Sequence, residues 1–70
     1  MTTIVGIIGD RIREAREKKN WRLIDLAEQS QLSLQYISNI EHGRGNPTIE
    51  ALGMIAFALD LTISDLVDGL

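Results

Sequence analysis

Between positions 33 and 42 the chain carries Gln35, Ser38, Asn39 and His42 at spacings of three and four, interleaved with Ile37 and Ile40. On a helix that spacing sets two primary amides and a hydroxyl against an aliphatic inner side. An amide donates and accepts at once, so two of them suit recognition of a surface that offers donors and acceptors side by side. Taken in isolation, the same pattern describes a solvated helix face. Catalytic chemistry has no such foothold. His42 is the only histidine and cysteine is absent, which removes metal ligation and a zinc finger. No nucleophile is paired with a base, no carboxylate pair falls in a plausible cleft, and Gly6 and Gly9 do not form a phosphate-cradling loop. The expectation is a binding protein, not an enzyme, with no cofactor, metal or small-molecule ligand.

Seventy residues support one hydrophobic core, and residues 1–70 are expected to form one domain. At 44% hydrophobic and 24% charged, with one Pro, the composition belongs to folded chains. Without disulfides, burial must come from aliphatic packing. The apolar stretch Ile4, Val5, Ile7 and Ile8 has no basic residue before it and is interrupted by Gly6, so it reads neither as a signal peptide nor as a membrane span. A cytoplasmic location is expected.

The net charge of -3 hides a gradient. All seven basic residues lie at or before Arg44, whereas the stretch from Ile49 onward carries Glu50, Asp60, Asp65 and Asp68 and no cation. One part of the molecule can face an anion; the other would avoid it.

The elements that must position these groups are helical. No segment alternates long enough for a strand. Ile8, Ile12 and Ala15 predict a first helix over roughly residues 7–19, ended by Asn20 and with Lys18 and Lys19 at the negative end of its dipole. Leu23, Leu26 and Ala27 predict a short second helix closing near Gln29, followed by a tight connection through Ser30, Gln31 and Leu32. Ser33 should cap the third helix, with Ile37 and Ile40 inward and Gly43 at its end. Gly43, Arg44, Gly45, Asn46 and Pro47 mark a loop, Thr48 caps a fourth helix over roughly residues 49–59, and Thr62 with Asp65 predicts a capping box opening a fifth. The fourth helix has two apolar stripes, one of Leu52, Ile55, Ala56 and Leu59 and one of Ala51, Met54, Phe57 and Ala58. The second needs a partner.

Residues 22–44 thus read as two short helices joined by a tight turn, the second amide-rich outside: a helix-turn-helix arrangement. The text Gly-Asp-Arg-Ile-Arg-Glu-Ala-Arg at 9–16, Asp-Leu-Ala at 25–27, Leu-Ser at 32–33, Tyr-Ile-Ser-Asn-Ile-Glu-His-Gly-Arg at 36–44, Asn-Pro-Thr at 46–48 and Ile-Ala-Phe-Ala-Leu at 55–59 resembles the Cro/repressor-like helix-turn-helix family, also called the XRE family. The resemblance implies an all-α fold, a compact five-helix bundle of the phage-repressor DNA-binding type, with the helix-turn-helix formed by helices 2 and 3. It implies a homodimer that places each third helix in a major groove of double-stranded DNA.

Position by position, the resemblance implies Leu34, Gln35 and Asn39 as base readers, with Tyr36 between base and phosphate contact. Gln35 and Asn39 match adenine's paired N6 and N7 edge, while Leu34 offers only an apolar contact. It implies phosphate contacts from Arg22, Ser33, Ser38, Arg44, Asn46 and Thr48, near helix N-termini and the loop after the third helix. Arg11 and Arg16 are candidate electrostatic contributors, although Glu14 with Lys18 and Asp10 with Arg13 would dilute the basic run. Met54 and Phe57, joined by Ile63, Val67 and Leu70, are expected to form the dimer interface. The chain departs from relatives in having Arg22 and Leu23 where many carry a Ser or Thr cap followed by Gln, in having Gln31 where Gly is usual, and in having Trp21 at a common aliphatic position, where it is expected to pack in the core. The function implied is a sequence-specific transcriptional regulator, with repression the commoner outcome. The alternatives are a restriction-modification controller protein and a protein-interaction module such as a toxin-neutralising antitoxin.

Overall fold

The computed structural model describes residues 3–70. The described chain forms five helices: α1 (Ile4–Lys18), α2 (Leu23–Ser30), α3 (Leu34–Glu41), α4 (Ile49–Ala58) and α5 (Ile63–Val67), with no strand among the described residues. Their starts are chemical. Thr3, Ser33, Thr48 and Thr62 each turn a hydroxyl onto an amide of the first turn, accepting from Gly6, Tyr36, Ala51 and Asp65. At α5 the box closes, with the Asp65 carboxylate accepting from the Thr62 amide at 2.8 Å. The one start missing from the sequence reading is that of α1, which begins a turn before Ile7 because Thr3 caps it and Gly6 is carried inside the helix.

Three helix ends repeat one motif. Asn20, Gln31 and Asp60 adopt left-handed conformations with φ of 58, 62 and 60°. In each case the amide of the following residue reaches back over the helix end: Trp21 to the Arg16 carbonyl, Leu32 to Ala27 and Leu61 to Ala56. Trp21, Leu32 and Leu61 then pack against the core, the apolar contact that accompanies such a cap. Asn20 and Gln31 therefore stand as the sequence implied, and Trp21 is a core-edge residue.

The core is aliphatic. Ile12, Leu26, Ile37, Ile40, Ile55 and Leu66 are fully buried, and Ile8, Ala27, Leu52, Ala56 and Leu59 complete the cluster. The small Ala27 of α2 is buried in this cluster. The second stripe of α4 divides, because Ala51 is buried and Ala58 is packed on the core whereas Met54 and Phe57 remain outside. No helix among the described residues is long and apolar enough to cross a membrane.

Two glycine exchanges test these backbone assignments. Gln31→Gly removes the Cβ penalty of a left-handed residue and should raise stability by up to about 1 kcal/mol. Gly53→Ala adds a methyl whose nearest neighbour is Ile63 Cδ1 at 3.6 Å, an ordinary contact, and should gain about 0.5–1 kcal/mol of helix stability. Thermal melts are expected to show both midpoints unchanged or raised; a clear drop for either contradicts the corresponding conformation.

Candidate nucleic-acid interface

Helix α3 is held by its inner side and open on its outer one. Ile37 and Ile40 are buried, and Glu41, 4% exposed, is buried with them. Its carboxylate accepts from Arg16 of α1 through Nε at 2.8 Å and Nη2 at 3.0 Å, while Arg16 Nη1 donates to the Trp21 carbonyl at 2.7 Å. The side chains of Arg16 and Glu41 are 11% and 3% exposed. The carboxylate holds the Arg16 guanidinium above its ordinary pKa, burial opposing it in part. Arg16 is thus committed inside the molecule, which corrects its assignment as an electrostatic contributor to a partner. Arg11 is likewise engaged, donating to the Leu66 and Asp68 carbonyls at 3.2 and 2.8 Å and tying α5 to α1. Glu41 was the functional residue missed by sequence reasoning. Its signal was present, since it lies four residues after Ile37 on the inner stripe, as Arg16 does after Ile12.

On the outer side, Leu34 is 45% exposed and Gln35 is exposed, with Asn39 half-buried one turn later. Gln35 Nε2 donates to Asn39 Oδ1 at 3.1 Å, and Arg44 Nη2 lies 3.5 Å from the same oxygen. With Asn39 Oδ1 engaged, the pair offers Gln35 Oε1 as acceptor and Asn39 Nδ2 as donor. Ser38 is half-buried, its Oγ 3.5 Å from His42 Nδ1. That His42 nitrogen lies 2.7 Å from the Ser38 carbonyl, and only a protonated Nδ1 can serve that acceptor. His42 is a helix-end polar residue.

A row of hydroxyls continues from α3 to α4. Ser33 Oγ accepts from the Tyr36 amide at 3.1 Å, Tyr36 Oη from the Thr48 amide at 3.3 Å, and Thr48 Oγ1 from the Ala51 amide at 3.0 Å. Each oxygen is engaged as an acceptor, which leaves each O–H proton to donate to an anion. The amides at the start of α4 that have no intrahelical acceptor are further donors, as at any helix N-terminus. Arg44 and Asn46 are exposed in the adjoining loop, but Glu50 also borders this groove and opposes an anion there.

Arg22 differs from the expectation in one respect. It precedes α2 but has no acceptor with which to cap it; the Asp25 carboxylate instead accepts from the Arg22 amide at 2.7 Å and from Nε and Nη2 at 3.2 and 3.1 Å. These bonds hold Asp25 below the usual carboxylate pKa and Arg22 above its own. An incoming phosphate must compete with Asp25 for this guanidinium.

A family model described as helix-turn-helix matches residues 12–66. The chain belongs to the helix-turn-helix family. The HTH-type transcriptional regulator DdrOP3 of Deinococcus deserti is 40% identical over 60 residues, covering 86% of this chain and 46% of that protein. The HTH-type transcriptional regulator SinR of Bacillus subtilis is 35% identical over 63 residues, 89% of this chain and 57% of that protein. The crystal structure of SinR, the master regulator for biofilm formation, in complex with DNA superposes with a TM-score of 0.82 at 35% identity over 87% of this chain and 98% of that one. The restriction-modification controller protein C.AhdI from Aeromonas hydrophila superposes with a TM-score of 0.85 at 31% identity, covering 89% of this chain and 94% of that one. This chain spans about half the length of the curated relatives it matches.

Within this helix-turn-helix chain the residues expected to join two copies differ in exposure. Phe57 is 85% exposed, Met54 38% and Leu70 46%, and Ile63 is half-buried. Val67 packs against the core, so less of it is available than the sequence suggested. Of the pairs expected in α1, Asp10–Arg13 forms at 2.8 Å, whereas Lys19 takes Asp60 at 2.8 Å and no Glu14–Lys18 pair is present among the described residues.

The buried pair predicts its own test. Glu41→Ala leaves the Arg16 guanidinium without its carboxylate and should cost about 3–5 kcal/mol, a large part of the stability of a chain this size. Urea unfolding should show it; a loss below about 1 kcal/mol would mean that the pair does not hold α3.

Proposed function

We propose that this chain, as one domain over residues 1–70, is a sequence-specific double-stranded DNA-binding transcriptional regulator acting as a homodimer in the cytoplasm, with repression as its mode. Helix α3 enters the major groove, Gln35 and Asn39 read base edges, Leu34 meets a thymine methyl, and Tyr36 stands where bases give way to backbone. Ser33, Thr48, Asn46, Arg44 and, after release from Asp25, Arg22 contact phosphate, with Ser38 a weaker contributor. The observation that carries this reading is the linked, outward-facing Gln35–Asn39 pair on a helix whose other side is buried. The solved complex of SinR with DNA supports it.

Met54, Phe57, Ile63, Leu70 and the accessible edge of Val67 join two copies, setting the α3 helices about 34–36 Å apart. Phe57 supports that assignment because an aromatic ring so exposed on a small chain marks a contact surface. A second reading, a restriction-modification controller, keeps the same site and draws support from the match over 94% of the C.AhdI chain.

Selection of bound duplexes from random DNA is the direct test. The wild-type chain should enrich a two-fold symmetric sequence, and Gln35→Ala and Asn39→Ala should each relax preference at a definite base pair by about 1–3 kcal/mol. Unchanged preference in either variant removes that residue from base reading.

Charge variants test the phosphate contacts. Arg44→Ala should weaken all duplexes alike and reduce the salt slope by about one, whereas Asp25→Asn should tighten binding by freeing Arg22 and removing a negative charge. With its pKa depressed in the fold, Asp25 stabilises above the ordinary carboxylate pKa, and that contribution fades as pH falls through the lower folded value. Asp25→Asn should therefore flatten the acid limb of the stability–pH curve; an unaltered limb argues against the Arg22–Asp25 pair.

A further inference from the structure

A glycine inside a helix lowers stability relative to alanine, so Gly9, in the middle of α1 and buried, needs a packing reason. A Cβ built on Gly9 would fall well within hard contact of the Ile40 carbonyl oxygen and 3.1 Å from that of Glu41. Both atoms are backbone, so no rotamer relieves the clash. Ile40 O also accepts from the Gly43 amide at 3.0 Å, which fixes it in the turn that ends α3. One turn earlier, Gly6 lies against Gly43, whose own Cβ would come within 3.1 Å of Gly6 Cα.

We propose that Gly9 is a positioning residue for the recognition helix: α1 seats its bare backbone on the last-turn carbonyls of α3, and this seat sets the angle at which Gln35 and Asn39 are presented. The inference rests on the DNA-binding reading above. Helix α1 holds α3 at two places, Gly9 on the carbonyls and Arg16 on the Glu41 carboxylate. One attachment would leave α3 free to rock; two fix its direction. The two residues are separated along α1 by about 10 Å. A methyl at Gly9 pushes the last-turn carbonyls of α3 outward while the ion pair retains the neighbouring Glu41 carboxylate, so α3 must turn about that pair, and a recognition site loses productive geometry once displaced beyond about 0.5 Å.

The test compares Gly9→Ala with wild type, both carrying Gly53→Ala to secure folding, on the duplex that wild type enriches from random DNA and on an unrelated duplex. Gly6→Ala serves as control, since its Cβ would meet only the Thr3 hydroxyl oxygen, at 3.1 Å. Gly9→Ala is expected to fold, to lose roughly tenfold or more in affinity for the enriched duplex, the size of one base contact, and to bind the unrelated duplex as before. Gly6→Ala should bind both as wild type does. The proposal is overturned if Gly9→Ala binds the enriched duplex normally, or if both affinities fall in proportion to a lost folded fraction. Failure to fold in the stabilised background also contradicts it, because the contact would then hold the fold and not the angle. If wild type enriches no duplex, the DNA-binding reading itself fails and takes this proposal with it.

Discussion

The Arg16–Glu41 pair is the constraint around which the chain is organised. Its carboxylate lies on the inner side of α3, where an unpaired charge would be prohibitive, and its guanidinium satisfies both that carboxylate and the Trp21 carbonyl at the α1–α2 corner. Three elements therefore meet at one planar group. The aliphatic residues around it would tolerate a small slide or rotation of one helix on another, because apolar contact has no direction. A bidentate ion pair does not tolerate it. Its contribution is chiefly register: α3 has one rotation in which Glu41 meets Arg16, and in that rotation Gln35 and Asn39 face outward. No buried side-chain nitrogen or oxygen lacks a partner among the described residues.

The same economy governs the exposed charge. Of the seven cations, Arg11 and Arg16 are committed to internal acceptors, and Arg13, Lys19 and Arg22 face carboxylates. Among the described residues this leaves Lys18 and Arg44 with neither a carboxylate nor a backbone-carbonyl acceptor. A molecule with net charge -3 and so little uncommitted positive charge cannot rely on general attraction to phosphate. On the proposed reading, neutral donors carry much of the contact beside Arg44, namely three hydroxyls and the amides at the start of α4, whose benefit depends on fit. Weak attachment to arbitrary duplexes and marked dependence on the preferred one are therefore expected on that reading.

Much of this was legible because it is local. Ser33, Thr48 and the Thr62–Asp65 box are short-range signals, Asn20 follows from where the apolar pattern breaks, and Gln31 stands where the family resemblance places Gly. The start of α1 was misplaced because Gly6 looked like an interruption while Thr3, a single capping hydroxyl, outweighed it. What could not be read was long-range. The inner-stripe positions of Arg16 and Glu41 are visible in the sequence, but nothing near Arg16 announces which residue, 25 positions away, pairs with it, so its charge looked free for a ligand. Nor does anything near Gly9 in the sequence announce the Ile40 carbonyl that lies against it. The Asp25 carboxylate that restrains Arg22 lies three residues away, and because arginine has no acceptor only the acidic half of a capping box forms. The division of the outer α4 stripe, with Ala51 inside and Phe57 outside, depends on how neighbouring helices cross it.

The central claim is that the α3 face, and not the apolar or acidic side of the molecule, meets the double helix. Titrating the isotopically labelled chain with its preferred duplex while recording NMR spectra addresses this most directly. The side-chain amide resonances of Gln35 and Asn39 should move, together with the backbone amides at the starts of α3 and α4, while those of α5 stay in place apart from uniform broadening. Perturbation centred on Phe57 and α5, with the Gln35 and Asn39 side chains unmoved, would contradict it.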